Sequence, residues 1–279
     1  MIGSVRAELL RLTRWPVTWV VTGVWLALNV MFGYVFDLLG YRDAVSSGDR
    51  RLAAELLAQI SPAGVPATMT QGLPLFGGAL VLVLAAVSTG NGYGWNTWKT
   101  VFTQGPPRLA AFGGTMAALA VVLVGIVVLS LVVDLAASAV VMTAESQALT
   151  WPTIGELAEG VGGALLIAGM WAAAGAMLGI VAKGPALSAG LGLIWVLVVE
   201  NLLRGVSGLL GALEPVTDYL PGTAAGSLAA AIGGVTGSES GGAPGVVTIL
   251  TGPSAATLLT GYAVVFMLVA GFLMARRDA

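Results

Sequence analysis

The chain has 279 residues; 57% are hydrophobic before its 40 glycines are counted, and only 9% are charged, against about 25% charged in a soluble domain. So few charges cannot cover a water-exposed surface, and a net charge of −2 leaves no electrostatic footprint for a nucleic-acid backbone. With no Cys and no His, disulfides, thiolate chemistry and histidine-based metal or general-base sites are excluded, and an integral membrane protein remains.

A helix crossing hydrocarbon needs about 20 apolar residues, because every backbone group must be satisfied within it. Six stretches qualify, so the expected fold is all-α, one transmembrane domain over residues 1–279 with six transmembrane helices. Residues 1–15 come first. Ile2, Val5, Leu9 and Leu12 recur at spacings of three and four, while Arg6, Arg11 and Arg14 fall on other faces. This describes an interfacial amphipathic helix that Trp15 and Pro16 turn into the first span; a plain basic anchor is the simpler alternative. The first span, residues 16–36, carries Asn29, a candidate for hydrogen bonding between helices. Its apolar run exceeds the roughly 7–15 residues of a signal-peptide core, and no small-x-small site closes it, so a permanent anchor is expected.

A first outer loop, residues 37–71, carries a helical stretch at 51–57 that reads as a solvated surface helix. The second span covers 66–89. The third covers 110–133, with apolar character continuing to Met142, and Asp134 late in it reads as a residue of the outer boundary. The fourth, 161–182, holds Gly175 and Gly179, a small-xxx-small pair suited to close helix packing. Lys183, Gly184 and Pro185 then force a tight antiparallel hairpin into the fifth span, 186–203. Glu200 and Arg204 stand there at i and i+4, the spacing of a pair on one helix face. Such a pair either lowers its own insertion cost or marks a functional site. The outer segment 205–253 contains a helix-like stretch at 224–232 and a Gly/Ser-rich flexible stretch at 233–242. The sixth span covers 256–274.

Charge sets the orientation. Arg6, Arg11, Arg14, Lys99, Arg108, Lys183, Arg276 and Arg277 lie on the side of the termini, against Arg42, Arg50, Arg51 and Arg204 opposite. Of the acids, only Glu8 and Asp278 lie with the termini. Both termini are therefore expected in the cytoplasm.

The loop 91–108 is the most informative segment. Its Gly/Asn cluster breaks the second span, and Gly105, Pro106 and Pro107 stop whatever helix forms between. That leaves a helix of two to three turns with Trp95, Trp98 and Phe102 on one face and Lys99 and Thr100 elsewhere. Composition alone favours an aromatic belt at the inner interface; the functional alternative is a docking helix for a cytoplasmic partner.

Enzyme chemistry finds little support. No G-x-x-x-x-G-K-[ST] run is present and neither Lys follows a glycine, so no ATP site of the P-loop kind is expected. Histidine-dependent triads and zinc-protease motifs are impossible. A Ser-Lys dyad would need a lysine away from the inner face.

The segment Trp95-Asn96-Thr97-Trp98-Lys99-Thr100, followed by Gly105-Pro106-Pro107-Arg108, resembles the first cytoplasmic loop of the permease subunit of type-2 ABC exporters. Val199-Glu200-Asn201-Leu202-Leu203 and Tyr219-Leu220-Pro221-Gly222 are similar to segments of actinobacterial members. The chain departs from the pattern where Asn91 or Gly92 replaces an acid and Asn96 replaces a glycine. The resemblance implies a coupling helix seated in a separate cytoplasmic ATPase, with Trp95, Thr97, Trp98, Lys99, Phe102 and Arg108 as docking residues. It further implies a second permease subunit, ATP and Mg on the partner ATPase, no cofactor in this chain, a location in the bacterial cytoplasmic membrane, and export of a hydrophobic or amphipathic compound. The alternative is an ATPase-independent secondary transporter or channel-like protein, which would carry ionisable groups near mid-membrane and broken half-helices.

Overall fold

The computed structural model describes residues 2–94, 97–103, 107–207, 214–236 and 242–276. Among these residues the structure is helical, and a lone bridge between Thr236 and Ala243 is the only β pairing. The helices of seven residues or more are α1 (Ile2–Arg14), α2 (Pro16–Ser47), α3 (Arg50–Ile60), α4 (Pro62–Gly94), α5 (Thr97–Thr103), α6 (Arg108–Ala144), α7 (Ile154–Ala182), α8 (Pro185–Val206), α9 (Pro221–Ala231) and α10 (Gly252–Arg276). Six of them, α2, α4, α6, α7, α8 and α10, are long and apolar enough to cross a bilayer. An even number of crossings puts both termini at one end of the bundle, here the terminal end; the other is the far end.

Several helices outrun the apolar stretches that announce them. The 37 residues of α6 span about 55 Å at 1.5 Å per residue, well beyond a hydrocarbon core of about 30 Å. Hydropathy marks the hydrocarbon, whereas capping chemistry marks the helix. Thus α2 runs on to Gly48, whose left-handed φ of 78° ends it. At the other extreme, α7 starts early because Thr153 and Glu156 form a reciprocal capping box.

The core is the pair α4 and α7, each with 67% of its apolar window buried, against 22% for α8 and 17% for α10. Their backbones meet at the small-xxx-small pair. A Cβ on Gly175 would strike the Leu82 carbonyl, and one on Gly179 would strike the Thr89 hydroxyl. At the same place Thr89 Oγ1 donates across to the Ala176 carbonyl at 3.3 Å. The expected hairpin follows: Lys183 adopts a left-handed φ of 53°, and α8 begins at Pro185.

The other elements dress this pair. Helix α1 lies across the terminal end with Leu12 fully buried, its backbone at Ser4 and Val5 pressed against Gly114 of α6. Leu12 of its apolar face is therefore spent on protein, while Val5 and Leu9 are half-buried. In the far segment the helix-like stretch at 224–232 is a helix, α9, and it is buried along almost its whole length, from Pro221 to Ala229, although it lies in a segment expected outside the spans. It packs beside α10 and the irregular part of α4.

That irregularity recurs. Residues Met31–Val35 of α2, Leu73–Gly77 of α4 and Ile194–Val199 of α8 are π-helical turns. In α4 the cause is local, since Pro74 cannot donate within the ladder. A single extra residue rotates everything after it by about 100°. Asp37 and Glu200 both stand at the exit of such a turn, and both are buried.

Widening Gly175 should force the central pair apart. Gly175→Val is expected to cost about 1–3 kcal/mol, read as a lower thermal unfolding midpoint of the purified chain in detergent. Gly169 lies on the same helix with nothing within 4 Å of where its Cβ would stand, so Gly169→Ala should stay within about 0.5 kcal/mol of the parent.

Candidate functional site

In the far half of the bundle, α2, α3 and α4 enclose a cavity of about 380 Å³, closed on one side by residues 242–244. Its apolar wall is aromatic. Phe32 stacks on Phe76 with ring centroids 6.3 Å apart and meets Phe36 edge-on at 5.2 Å, while Trp25 forms the inner side. Phe32, Phe36 and Phe76 are themselves exposed, so this wall is thin. The polar lining is Asn29, Asp37 and Gln71. Asp37 is only 5% exposed, and its Oδ2 meets no hydrogen-bond donor. Asp37 is the 22nd residue of α2, about 33 Å along the helix, which sets the cavity toward the far boundary of the hydrocarbon.

Behind the cavity, α2 and α6 run side by side and are joined by a polar ladder. Trp25 Nε1 donates to Ser130 Oγ at 2.8 Å, and one turn on, Asn29 Nδ2 donates to Asp134 Oδ1 at 2.6 Å. At the far end Gln147 Nε2 donates to the Tyr41 hydroxyl at 3.3 Å, and Arg42 Nε donates to Glu145 at 2.9 Å. Asp134 is therefore not a boundary residue in contact with the interface: it is fully buried between two helices. The Tyr34 hydroxyl lies beside it and beside Thr68, without completing a hydrogen bond of good geometry.

Glu200 also departs from expectation. Rather than facing Arg204 alone, its carboxylate accepts from Trp195 Nε1 at 2.8 Å and packs against Gly222 at the start of α9, whose backbone N–H it also takes. Arg204 Nη2 donates to Asn201 Oδ1 at 3.0 Å. The Asn201 amide in turn reaches the Val196 carbonyl, five residues back across the π turn, at 3.1 Å. Glu200 thus ties α8 to the amino end of α9, where a negative charge is favoured.

At the terminal end, α5 is held down by its own aromatic residue. Trp98 is buried at 5% exposure, donates Nε1 to the Thr89 carbonyl at 3.3 Å and lies over Gly92, where any side chain would collide with the indole. Around it pack Ala111 and Phe112 of α6, Ile180 of α7 and Met274 of α10. Phe102 stacks on Trp98 at 5.6 Å, and Arg108 covers Phe102 at 5.2 Å. Trp98 is therefore an anchor and is not offered to a partner, whereas Thr97, Lys99, Thr100 and Thr103 are exposed. Trp95 lies outside the described residues. In α1, Arg6 and Arg14 are exposed, and Trp15 after it is half-buried. Arg11 donates to the Ser88 carbonyl at 3.2 Å, lies over Trp15 at 6.0 Å and pairs with Glu8 at 2.8 Å. Burial raises the Glu8 carboxyl above its ordinary value, with Arg11 pulling the other way.

The chain is a multi-pass α-helical membrane protein with two built ends, a clamped short helix and a polar cavity. It matches no protein-family model, and no curated protein is similar to it at a significant level. Among the described residues no group of three or more His, Cys, Asp or Glu is placed to hold a metal ion.

Of the cavity residues, Asn29 was legible in sequence, whereas Asp37 and Gln71 fell at the edges of an assigned loop; Tyr34, beside Asp134, passed as part of an apolar run. One signal was present: Asn29, Gly33, Asp37 and Gly40 recur at helical spacing, a polar and small-residue face that continues past the end of the apolar run. The ladder is testable by a double-mutant cycle of Asn29→Leu and Asp134→Leu. A coupling of about 1–2 kcal/mol is expected, with the double variant at least as stable in denaturant unfolding as either single one, since each single change leaves a buried polar group alone.

Proposed function

We propose that this chain is the permease subunit of an ATP-driven exporter in a bacterial cytoplasmic membrane, with its termini in the cytoplasm. The observation that carries this reading is the seating of α5. A short helix at the terminal end presents Thr97, Lys99, Thr100 and Thr103 outward while Trp98 locks it to α4 and joins a buried cluster to which α6, α7 and α10 contribute. A partner pressing on that face would push on α4 through Trp98 and on the cluster beneath it, which is what a coupling helix requires. The resemblance of this loop to type-2 ABC exporters supports the same reading, with ATP and Mg on a separate ATPase subunit and a second permease subunit completing the assembly. An ATPase that binds one arrangement of the spans better than the other drives the change. The cavity in the far half, with aromatic walls and a few polar groups, suits an amphipathic cargo.

A second reading has one observation in its favour. Asp37, Asp134 and Glu200 are buried carboxylates beside or just after π turns, features that a secondary transporter uses for ion coupling. Transport that persists without any ATPase and is abolished by Asp134→Asn would establish it.

The deciding experiment is purification of the tagged chain from its own host in mild detergent, with co-purifying proteins identified by mass spectrometry. A stoichiometric P-loop ATPase is expected, and the double variant Lys99→Glu, Thr100→Glu should reduce its recovery about tenfold or more, since it reverses the charge on a docking face, while the chain's own elution is unchanged. Absence of the ATPase where a control complex survives, or full recovery with the double variant, overturns the assignment.

A further inference from the structure

The cavity between α2, α3 and α4 has an unusual charge balance. Among the described residues Asp37 is its only charged lining residue, and no Lys or Arg lines it. Of the next arginines along the chain, Arg42 is held by Glu145 and Arg51 by Glu55, at 2.9 and 2.8 Å, and Arg50 is exposed. The Asp37 Oδ2 is buried and accepts no hydrogen bond from any described residue. A carboxylate so placed is costly until something compensates it.

The neighbouring polar groups indicate what would. Asn29 gives its amide nitrogen to Asp134, which turns its Oδ1 away from Asp134. Gln71 lines the same space and is only 8% exposed. The cavity therefore gathers the Asp37 carboxylate and two side-chain amides, Asn29 and Gln71, each with an oxygen able to accept, around one negative charge. An ammonium group has up to three N–H donors and no acceptor. An anion would be repelled, and a purely apolar molecule would leave Asp37 bare. Trp25, Phe32, Phe36 and Phe76 supply aromatic faces, which attract a cation as well as apolar groups. At about 380 Å³ the space lies near the small end of ligand pockets, about 300–1,000 Å³, enough for one ring and a short chain.

We propose that this cavity binds amphipathic amines, with the protonated nitrogen held by Asp37, Asn29 and Gln71 and the apolar body against Trp25, Phe32, Phe36 and Phe76. This names the class of cargo for the exporter reading and rests on that reading only in calling the ligand a cargo. Binding itself belongs to the chain alone.

The test is calorimetric titration of the purified full chain with phenylbutylamine and with phenylbutanol, which differ in the charged nitrogen. The amine is expected to bind at least about tenfold more tightly than the alcohol, a difference of the size a desolvated charge contact supplies. In Asp37→Asn that preference should fall to about twofold or less, with elution and thermal unfolding unchanged. Equal binding of the two compounds, no saturable amine binding at millimolar concentration, or a preference retained in Asp37→Asn each overturns the proposal. If Asp37→Asn does not fold, Gln71→Leu carries the test: it should narrow the preference for the amine, and an unaltered preference counts against the site. Because no ATPase takes part, a chain that lacks an ATPase partner can still show the preference, and one that keeps its ATPase can still fail it.

Discussion

Everything in this bundle leans on the backbone contact between α4 and α7. In a membrane, helices gain little by burying apolar surface against each other, since lipid is as apolar as leucine, and close packing must supply the attraction instead. Gly175 and Gly179 permit that approach, and the Thr89 hydroxyl adds a bond across it. Both built ends of the protein are assembled on α4: its terminal half carries the Thr89 carbonyl and Gly92 that seat Trp98, and its far half carries Gln71 and Phe76 of the cavity. A displacement at α5 thus has a stiff element to travel along, provided that the pair α4 and α7 moves as one.

The polar groups inside the bundle form a second layer of constraint. Between α2 and α6 they act as rungs, Trp25 to Ser130 and Asn29 to Asp134, which set the register of two helices that apolar packing alone would leave free to slide. A π turn changes what the next residue faces. Were α2 regular through Met31–Val35, the residues after it would be rotated by about 100°, and Asp37 would lose its place in the cavity. The same device ahead of Glu200 brings that carboxylate to the amino end of α9. Irregular backbone at membrane depth is tolerated where it is buried in protein or lines a cavity, and the turns in α2 and α4 line one.

The two ends therefore differ in kind. The terminal end is dense and aromatic, with its exposed polar residues on a helix too short to stand without Trp98 beneath it. The far end is looser, with a thin phenylalanine wall and an uncompensated carboxylate.

By itself the sequence determined the number of spans, the tight hairpin at Lys183 to Pro185, the small-xxx-small packing face and the existence of a short helix after the second span. These follow from composition, glycine and proline placement and spacing along one chain, properties that need no neighbour. Asn29 and Asp134 were legible as polar residues in apolar surroundings, but not as partners, because their separation of 105 positions hides a contact that only helix packing makes. Asp37 and Gln71 looked like loop, since hydropathy falls at those positions whether the polar group faces water or a cavity. Trp98 looked like a docking residue because an aromatic side chain on a short helix has the same spacing whether it points out or in. Tertiary structure decided all of these, for one physical reason: burial is a property of what packs against a side chain, and in a chain this apolar the pattern along the sequence no longer distinguishes lipid from protein.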